Sequence, residues 1–153
     1  MARLDRMPEV ERNHLLALPC PTFDSNPWVT GSPLTQRRVA LITTAGLHHR
    51  SDLSFSVGAG DYRIIPADIS ANGLVMGHIS TNFDRSGFQQ DWNVVFPLDR
   101  LKELAVEKKI GSVADFHYSF MGATDPARME ATVRGLAGIL KNDGVDAVLL
   151  VPV

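Results

Sequence analysis

Apolar and polar positions along the chain switch between the two-residue period of strands and the longer period of helices. Residues 39–44 form a run of β-branched and aliphatic side chains that ends at Ala45 and Gly46, which predicts a first buried strand. Residues 145–152 form a second, nearly continuous apolar run. Such a run is typical of a strand that is buried between helices in a parallel sheet.

Shorter extended segments lie between these two runs. Residues 47–75 are otherwise rich in glycine, aspartate and serine, and this composition predicts loops. The sequence predicts extended structure at residues 62–65, 75–80, 91–96 and 112–119.

Two helices are predicted in the second half of the chain. Residues 98–108 place four apolar side chains on one face, and Lys108 and Lys109 suit the negative end of the helix dipole. A second helix follows Asp125, a favourable N-cap, with Pro126 at its first position and a stop at residues 142–144. Its apolar positions recur at helical spacing: Met129, Val133, Leu136, Ala137 and Leu140.

This order of elements predicts an α/β fold, a doubly wound three-layer sandwich with a mostly parallel sheet. The last helix and the strand at residues 145–152 would complete a right-handed β–α–β unit. In such sheets, ligands bind at the carboxyl ends of the strands. We therefore expect the functional site at that edge.

Residues 1–36 differ from the body at 37–153, which we expect to be an α/β domain that is incomplete at its carboxyl end. Five of the nine prolines lie in this first segment, which favours extended backbone. A short helix is predicted only at residues 8–18. We expect an arm that lies on the domain or on a second subunit, because the segment carries apolar side chains: Leu15, Leu16, Leu18, Phe23 and Trp28.

Composition narrows the classes of function. The chain has 153 residues, 44% hydrophobic and 21% charged, with a formal net charge of −2. These values are ordinary for a globular domain and give no reason to expect nucleic acid. Apolar runs are too short for a membrane span, and the N-terminus lacks the apolar region of a signal peptide. The single cysteine, Cys20, fits a reducing compartment, so we expect a cytoplasmic protein with no membrane partner.

Four histidines are the candidate catalytic residues because each follows or ends a predicted strand: His48, His49, His78 and His117. Imidazole titrates near neutral pH, so such side chains can move protons or recognise anions. For each histidine alone, a structural role or a solvated loop is the alternative. We assign substrate binding to four further residues: Asp52, Asp84, Tyr118 and Met121.

The histidines and the carboxylates Asp52, Asp84 and Asp91 could converge into an acid–base site or into a metal site with nitrogen and oxygen ligands. No zinc motif such as His-Glu-x-x-His occurs, so we assign no metal.

A glycine-rich segment and the single cysteine give weaker indications of function. The glycine-rich GAGD segment at residues 58–61 neither follows a clear strand nor opens a helix, so it indicates a turn with positive φ rather than a dinucleotide site. Cys20 lies between two prolines without a basic neighbour or a partner cysteine. We interpret it as structural, which leaves the chain without a nucleophile.

Several segments together resemble the selenoprotein B family of glycine, sarcosine, betaine and D-proline reductases. The resemblance spans residues 38–153, and the arm resembles that of an uncharacterised bacterial branch of the family. The segments that carry it are TAGLHHR at 44–50, GDYRIIP at 60–66, WNVVFPLDRL at 92–101, IGS at 110–112 and HYSFMG at 117–122.

The resemblance implies reductive cleavage of a C–N bond in a small amino-acid-like substrate, with partner reductase subunits. In the family, the strand equivalent to residues 145–151 leads into a selenocysteine or cysteine with a second cysteine nearby. This chain ends at that position. We therefore expect that it is the N-terminal portion of the family domain, read up to a selenocysteine codon. A natural short paralogue or a deliberate boundary is the alternative.

The present chain would then hold no cofactor, and selenocysteine is expected in the full-length protein. Two rival interpretations remain: a non-catalytic small-anion-binding or regulatory module, and a metal-dependent hydrolase. We also expect a homo-oligomer, because a terminal strand without a following helix exposes apolar surface on the sheet.

Overall fold

The computed structural model describes residues 3–19, 22, 24, 26–80 and 83–153. The four α-helices in this part of the chain are α1 (Glu9–Ala17), α2 (Ser86–Gln90), α3 (Leu98–Val106) and α4 (Glu130–Asn142). The seven strands are β1 (Arg38–Thr43), β2 (Leu47–His49), β3 (Arg63–Pro66), β4 (Leu74–Met76), β5 (Ser112–Val113), β6 (Phe116–Ser119) and β7 (Ala147–Val151).

Strand β1 is the centre of a mostly parallel sheet, as predicted. On one edge it pairs in parallel with β7 along Val39–Thr43. On the other edge, its first residues pair in parallel with β5 and its last residues with β6. Strand β3 closes that side, antiparallel to β6. The described chain is therefore a mixed α/β domain with a mostly parallel sheet, consistent with the expected sandwich.

The two faces of β1 separate the core into two clusters because side chains alternate along a strand. Val39 and Leu41 pack on the face of α3, together with Phe96 and Leu101. Ala40 packs on the face of α4, where the largest buried residues are Tyr118, Phe120, Leu136 and Leu140. Helices therefore cover both faces of the sheet.

Strands β2 and β4 form a separate antiparallel ribbon, in which His48 lies opposite Val75. Two backbone hydrogen bonds join this ribbon to the sheet: Gly46 N–H donates to the Phe120 carbonyl over 2.9 Å, and Gly77 N–H donates to the Gly46 carbonyl over 2.9 Å. Gly46 adopts φ +65, a conformation that glycine tolerates at least cost. The ribbon therefore begins directly at the carboxyl edge of β1.

The structure corrects several sequence-based expectations. Among the described residues, β7 pairs only with β1, and its middle residue Leu149 is 39% exposed. The segment at 91–96 is a 3-10 turn (Trp92–Val94), because Asp91 caps it through the backbone of Asn93. The extended run at 112–119 divides into β5 and β6, and the helix after Asp125 starts as a 3-10 turn before α4 begins.

The arm is largely exposed where it is described. Helix α1 has no buried residue, and Trp28 is 88% exposed. The arm meets the body at its far end, where Gly111 N–H donates to the Leu34 carbonyl over 3.2 Å. Among the described helices, none is long and apolar enough to cross a membrane.

Candidate functional site

Hydrogen bonds connect the residues that follow β1, β6 and β7 at the carboxyl edge of the sheet. Thr44 follows β1; its hydroxyl donates to the Val153 carbonyl over 3.2 Å and accepts from Val153 N–H over 2.8 Å. Gly122 follows β6, and its N–H donates to the Thr44 carbonyl over 2.8 Å. A Cβ on Gly122 would lie 2.5 Å from the Val153 carbonyl oxygen, so only glycine lets these backbones approach so closely.

A crevice of about 860 Å³ opens at this edge. Its volume lies within the range of small-molecule sites in proteins. Its lining comes from the loop after β6, the loop after β4, and α1 with the two residues that follow it. The lining residues are His14, Leu15, Leu18, Pro19, His78, Ser80, Phe83, Gly122, Ala123, Thr124, Asp125, Pro126 and Val153.

His78 is the predicted histidine that lines the crevice. It is only 6% exposed, and the Phe83 ring lies 4.9 Å from its ring centroid. Its Nδ1 accepts from Ser80 N–H over 3.2 Å, so the proton of the neutral ring is on Nε2. Burial, followed by the positive charge of Arg85, lowers the pKa of His78 below 6.5. At neutral pH the ring is therefore a neutral N–H donor.

The buried Nε2 of His78 has no hydrogen-bond partner among the described residues. Leaving a buried donor unpaired costs about 1–3 kcal/mol. Arg85 fixes the loop that carries this donor, because its guanidinium donates to the carbonyls of His78 and Ser80. The loop therefore holds a desolvated donor in the wall of the crevice.

His48 and His49 point to different environments. His48 is buried, and its Nδ1 donates to the His49 carbonyl over 2.9 Å. A Cβ on Gly77 would lie 3.1 Å from His48 Nε2. The structure thus brings His48 next to Gly77, the residue before His78. His49 is exposed and its Nδ1 bonds the Ser51 hydroxyl over 2.6 Å.

His117 lies inside the sheet on β6, two residues before the strand ends at Ser119, and it is not among the residues that line the crevice. Its Nδ1 accepts from Leu41 N–H over 3.0 Å, at the point where β1 changes its neighbour from β5 to β6. Burial, followed by Lys102 and Arg38, lowers the pKa of His117 to about 4. The structure therefore gives this histidine a hydrogen bond in the core.

The predicted substrate-binding residues are equally divided between core and surface. Tyr118 is 1% exposed and meets Tyr62 edge-on, with 5.4 Å between ring centroids; burial raises the pKa of its hydroxyl. Met121 is fully buried at the carboxyl edge, beneath Gly46. Neither residue is among those that line the crevice.

The three carboxylates do not converge. Asp52 is exposed, and its carboxylate lies 3.9 Å from Arg63. Asp84 accepts from Ser86 N–H over 2.9 Å, and that hydrogen bonding lowers its pKa. Asp91 lines a second crevice of about 380 Å³, and hydrogen bonds from Asn93 lower its pKa. Among the described residues, no group of three or more His, Cys, Asp or Glu side chains is placed to hold a metal ion.

Sequence reasoning missed two ionisable residues of the crevice. His14 comes from α1, and Asp125 was recognised only as a helix cap, which it is: its carboxylate accepts from Ala127 N–H over 3.0 Å. The apolar positions of the arm predicted that it would lie on the domain or on a second subunit, but no motif marked His14. The GAGD segment is a turn, with Gly58 at φ +71. Cys20 lies outside the described residues.

Fold and crevice together define an α/β protein whose candidate site lies at the carboxyl edge of a parallel sheet. The model of the glycine/sarcosine/betaine reductase selenoprotein B family matches residues 11–153. The chain belongs to this family, as its motifs predicted.

Curated relatives are components of reductases. The chain is 38% identical over 121 residues to the D-proline reductase subunit gamma of Acetoanaerobium sticklandii, covering 76% of the chain and 49% of that relative. It is 31% identical over 148 residues to the glycine reductase complex component B subunit gamma of Carboxydothermus hydrogenoformans, covering 90% of the chain and 33% of that relative. The chain thus spans about a third to a half of these relatives. No solved structure matches it significantly.

Proposed function

We propose that the chain is the substrate-holding part of a reductase subunit, and that the crevice binds a small amino-acid-like molecule. The family and the names of the relatives support the reductase component. The observation that carries the choice of site is the buried, unpaired Nε2–H of His78 in the crevice wall. A desolvated donor of this kind gains most when a carboxylate or carbonyl oxygen enters.

The crevice offers complementary groups for a zwitterion. His78 would donate Nε2–H to the substrate carboxylate. Asp125 lines the same crevice, and its carboxylate would attract the positively charged nitrogen of the substrate. Leu15 of α1 and Leu18, the residue after α1, would exclude water from the bound molecule, which strengthens both polar interactions.

The chemistry of C–N bond reduction needs a group outside the described residues. A selenol or thiol pair would supply the nucleophile and the two electrons, and we propose that it comes from selenocysteine and cysteine beyond residues 1–153. This chain's own residues would bind, orient and desolvate the substrate. The codon that follows Val153 provides the genetic test, because UGA followed by an in-frame cysteine codon supports this assignment.

Ligand binding tests the site directly. Isothermal titration calorimetry with glycine, sarcosine, betaine and D-proline should detect binding of at least one. His78→Phe preserves an aromatic ring but removes the donor, so we expect at least about a tenfold loss of affinity, the cost of one charge-assisted hydrogen bond. His49→Ala, on the exposed side of β2, should retain the affinity.

A pair of ligands separates the two polar contacts. Asp125→Asn should weaken binding of glycine more than binding of acetate, because acetate has no positive charge for Asp125 to attract. Equal losses for both ligands would contradict the zwitterion geometry. Full affinity in His78→Phe would contradict the crevice as the substrate site and would favour a binding module with another ligand.

A further inference from the structure

The glycine-rich turn at residues 58–60 contacts a residue of the crevice without lining the crevice itself. Thr124 lines the crevice and is only 5% exposed. Its hydroxyl donates to the Ala59 carbonyl over 2.9 Å. The next residue, Asp125, carries the carboxylate that we propose attracts the nitrogen of the ligand. The turn therefore holds the backbone directly before this carboxylate.

The same turn meets the chain again three residues after Asp125. A Cβ on Gly60 would collide with the carbonyl oxygen of Arg128 and would lie 3.1 Å from its carbonyl carbon. A Cβ on Gly58 would collide with the guanidinium of the same arginine. Only glycine permits so close an approach of two backbones. Residues 58–60 therefore contact residues 124–128 on both sides of Asp125.

Hydrogen bonds fix the Asp125 carboxylate within residues 124–128. The carboxylate accepts from Ala127 N–H over 3.0 Å, and Arg128 N–H donates to the Asp125 carbonyl over 3.0 Å. The carboxylate is thus bonded to its own short segment. Its location in the crevice follows from where the neighbouring turn holds that segment.

The turn at 58–60 is itself held by the sheet through Arg63, the first residue of β3. The side chain of Arg63 is 12% exposed, and its Nη1 donates to the Asp61 carboxylate over 2.7 Å. Its Nε donates to the Leu53 carbonyl over 2.8 Å, and its guanidinium lies 4.4 Å from the centre of the Phe55 ring. A support whose own side chains are fixed in this way can hold a site residue in place.

We infer that the turn at residues 58–60 is a positioning element of the crevice, which sets the separation of the Asp125 carboxylate from the His78 donor and so makes the crevice select zwitterions over plain carboxylates. The inference rests on the proposed function. His78 belongs to the loop after β4 and Asp125 to the loop after β6, so their separation depends on what each loop contacts. Attraction between charges falls with distance, so a displaced Asp125 loses the positive nitrogen of a ligand whose carboxylate stays on His78.

An alanine at position 60 tests the contact. Gly60 lacks the left-handed φ of Gly58, so Gly60→Ala introduces only a methyl group, against the Arg128 carbonyl. In isothermal titration calorimetry, glycine should bind about three- to fivefold more weakly, which corresponds to the loss of one exposed charge pair. Acetate has no positive charge, so its affinity should stay within about twofold of the native value. Gly138→Ala on α4 is the matched control, because a Cβ there meets nothing within 4 Å, and it should bind both ligands as the native chain does.

A double-mutant cycle shows whether the turn acts through Asp125. In an Asp125→Asn background, Gly60→Ala should cause no further loss of glycine affinity, because the charge that the turn positions is already absent. Thr124→Val removes the hydrogen bond to Ala59 and should reproduce the selective loss, whereas Thr124→Ser keeps the hydroxyl and should restore most of the selectivity. Additive losses in the cycle, or equal losses for glycine and acetate, overturn the proposal. Circular dichroism checks folding, and Thr124→Val carries the same test if Gly60→Ala does not fold.

Hydrogen exchange tests the positioning without a ligand. Ala127 N–H donates to the Asp125 carboxylate, so its exchange with deuterium reports how well that carboxylate is held. The exchange should be faster in Gly60→Ala and in Thr124→Val than in the native chain, and unchanged in Gly138→Ala. Unchanged exchange in the first two variants overturns the positioning by itself. A native chain that binds neither glycine nor acetate contradicts the proposed function, and with it the selectivity, whatever the exchange shows.

Discussion

At the scale of single residues, His117 completes one hydrogen bond in the core of the sheet. Leu41 N–H faces the gap between β5 and β6, where no backbone carbonyl of the two short strands accepts it. The imidazole Nδ1 of His117 fills this position over 3.0 Å. An unpaired buried N–H would cost about 1–3 kcal/mol, so this side chain preserves the continuity of the central strand.

This role predicts a pH dependence of stability. The pKa of His117 is about 4 in the folded chain, against 6.5 for the free side chain. The unfolded state therefore binds the additional proton between these values, and the contribution is complete above pH 6.5 and is lost as the pH falls towards 4. The loss amounts to about 3 kcal/mol by pH 4.

Urea unfolding from pH 7 to pH 4.5 measures this effect. His117→Gln keeps an acceptor for Leu41 N–H but does not titrate, so its unfolding free energy should fall less steeply over the range. Exposed His49→Ala is the matched control and should follow the native profile. Parallel profiles for His117→Gln and the native chain would contradict a buried neutral His117.

At the scale of elements, α1 contributes to the crevice without contributing to the core. His14 and Leu15 of the helix and Leu18 directly after it line the crevice, but no residue of the helix is buried. Stability of a domain comes mainly from buried apolar area. The arm can therefore affect the site independently of the fold.

Substitutions in the arm separate these two effects. Leu18→Ser should weaken binding of the crevice ligand by several-fold, because it admits water above the site. Val10→Ser, on the same element but 82% exposed, is the control and should leave affinity unchanged. Both variants should change the unfolding free energy by less than about 0.5 kcal/mol, as surface substitutions do. A large stability loss in Leu18→Ser would instead assign α1 to the core.

At the scale of the whole molecule, the proposed function separates substrate binding from redox chemistry. The chain has one cysteine, Cys20, whereas thiol–disulfide chemistry needs an attacking and a resolving group. The crevice, the hydrogen-bonded strand ends beside it and His78 all lie within this chain. We expect the 153-residue chain to bind a substrate without reducing it.

An activity assay checks this division. The chain alone, with dithiothreitol as electron donor, should release no amine from glycine, betaine, sarcosine or D-proline above the protein-free rate. A gene extended beyond Val153, with cysteine in place of any selenocysteine, should gain a thiol that alkylates faster near neutral pH than Cys20 does. Turnover by the short chain would contradict the absence of a redox pair.

The pattern of apolar residues was sufficient to predict those helices and strands whose spacing is visible within a single segment of the sequence. The apolar spacing at Leu98 and Leu101 predicted α3, because a helix that buries one face has apolar residues three or four positions apart. The run at 39–44 predicted the central strand, because a strand that is buried on both faces is apolar at nearly every position. The parallel sheet predicted a site at its carboxyl edge, which is where the candidate crevice lies. The family followed from the motifs at residues 44–50 and 117–122.

Only the tertiary structure decided what each histidine does and which residues share the crevice. His78 and His117 both lie near strand ends in the sequence, but one lies in the crevice wall and the other fills a gap in the sheet. The run at 145–152 predicted a strand, but only the structure showed that it pairs with β1 and that Leu150 is 67% exposed among the described residues. These outcomes depend on which segments lie side by side. Spacing along one chain does not determine that residues as distant in sequence as His14 and Asp125 line the same crevice.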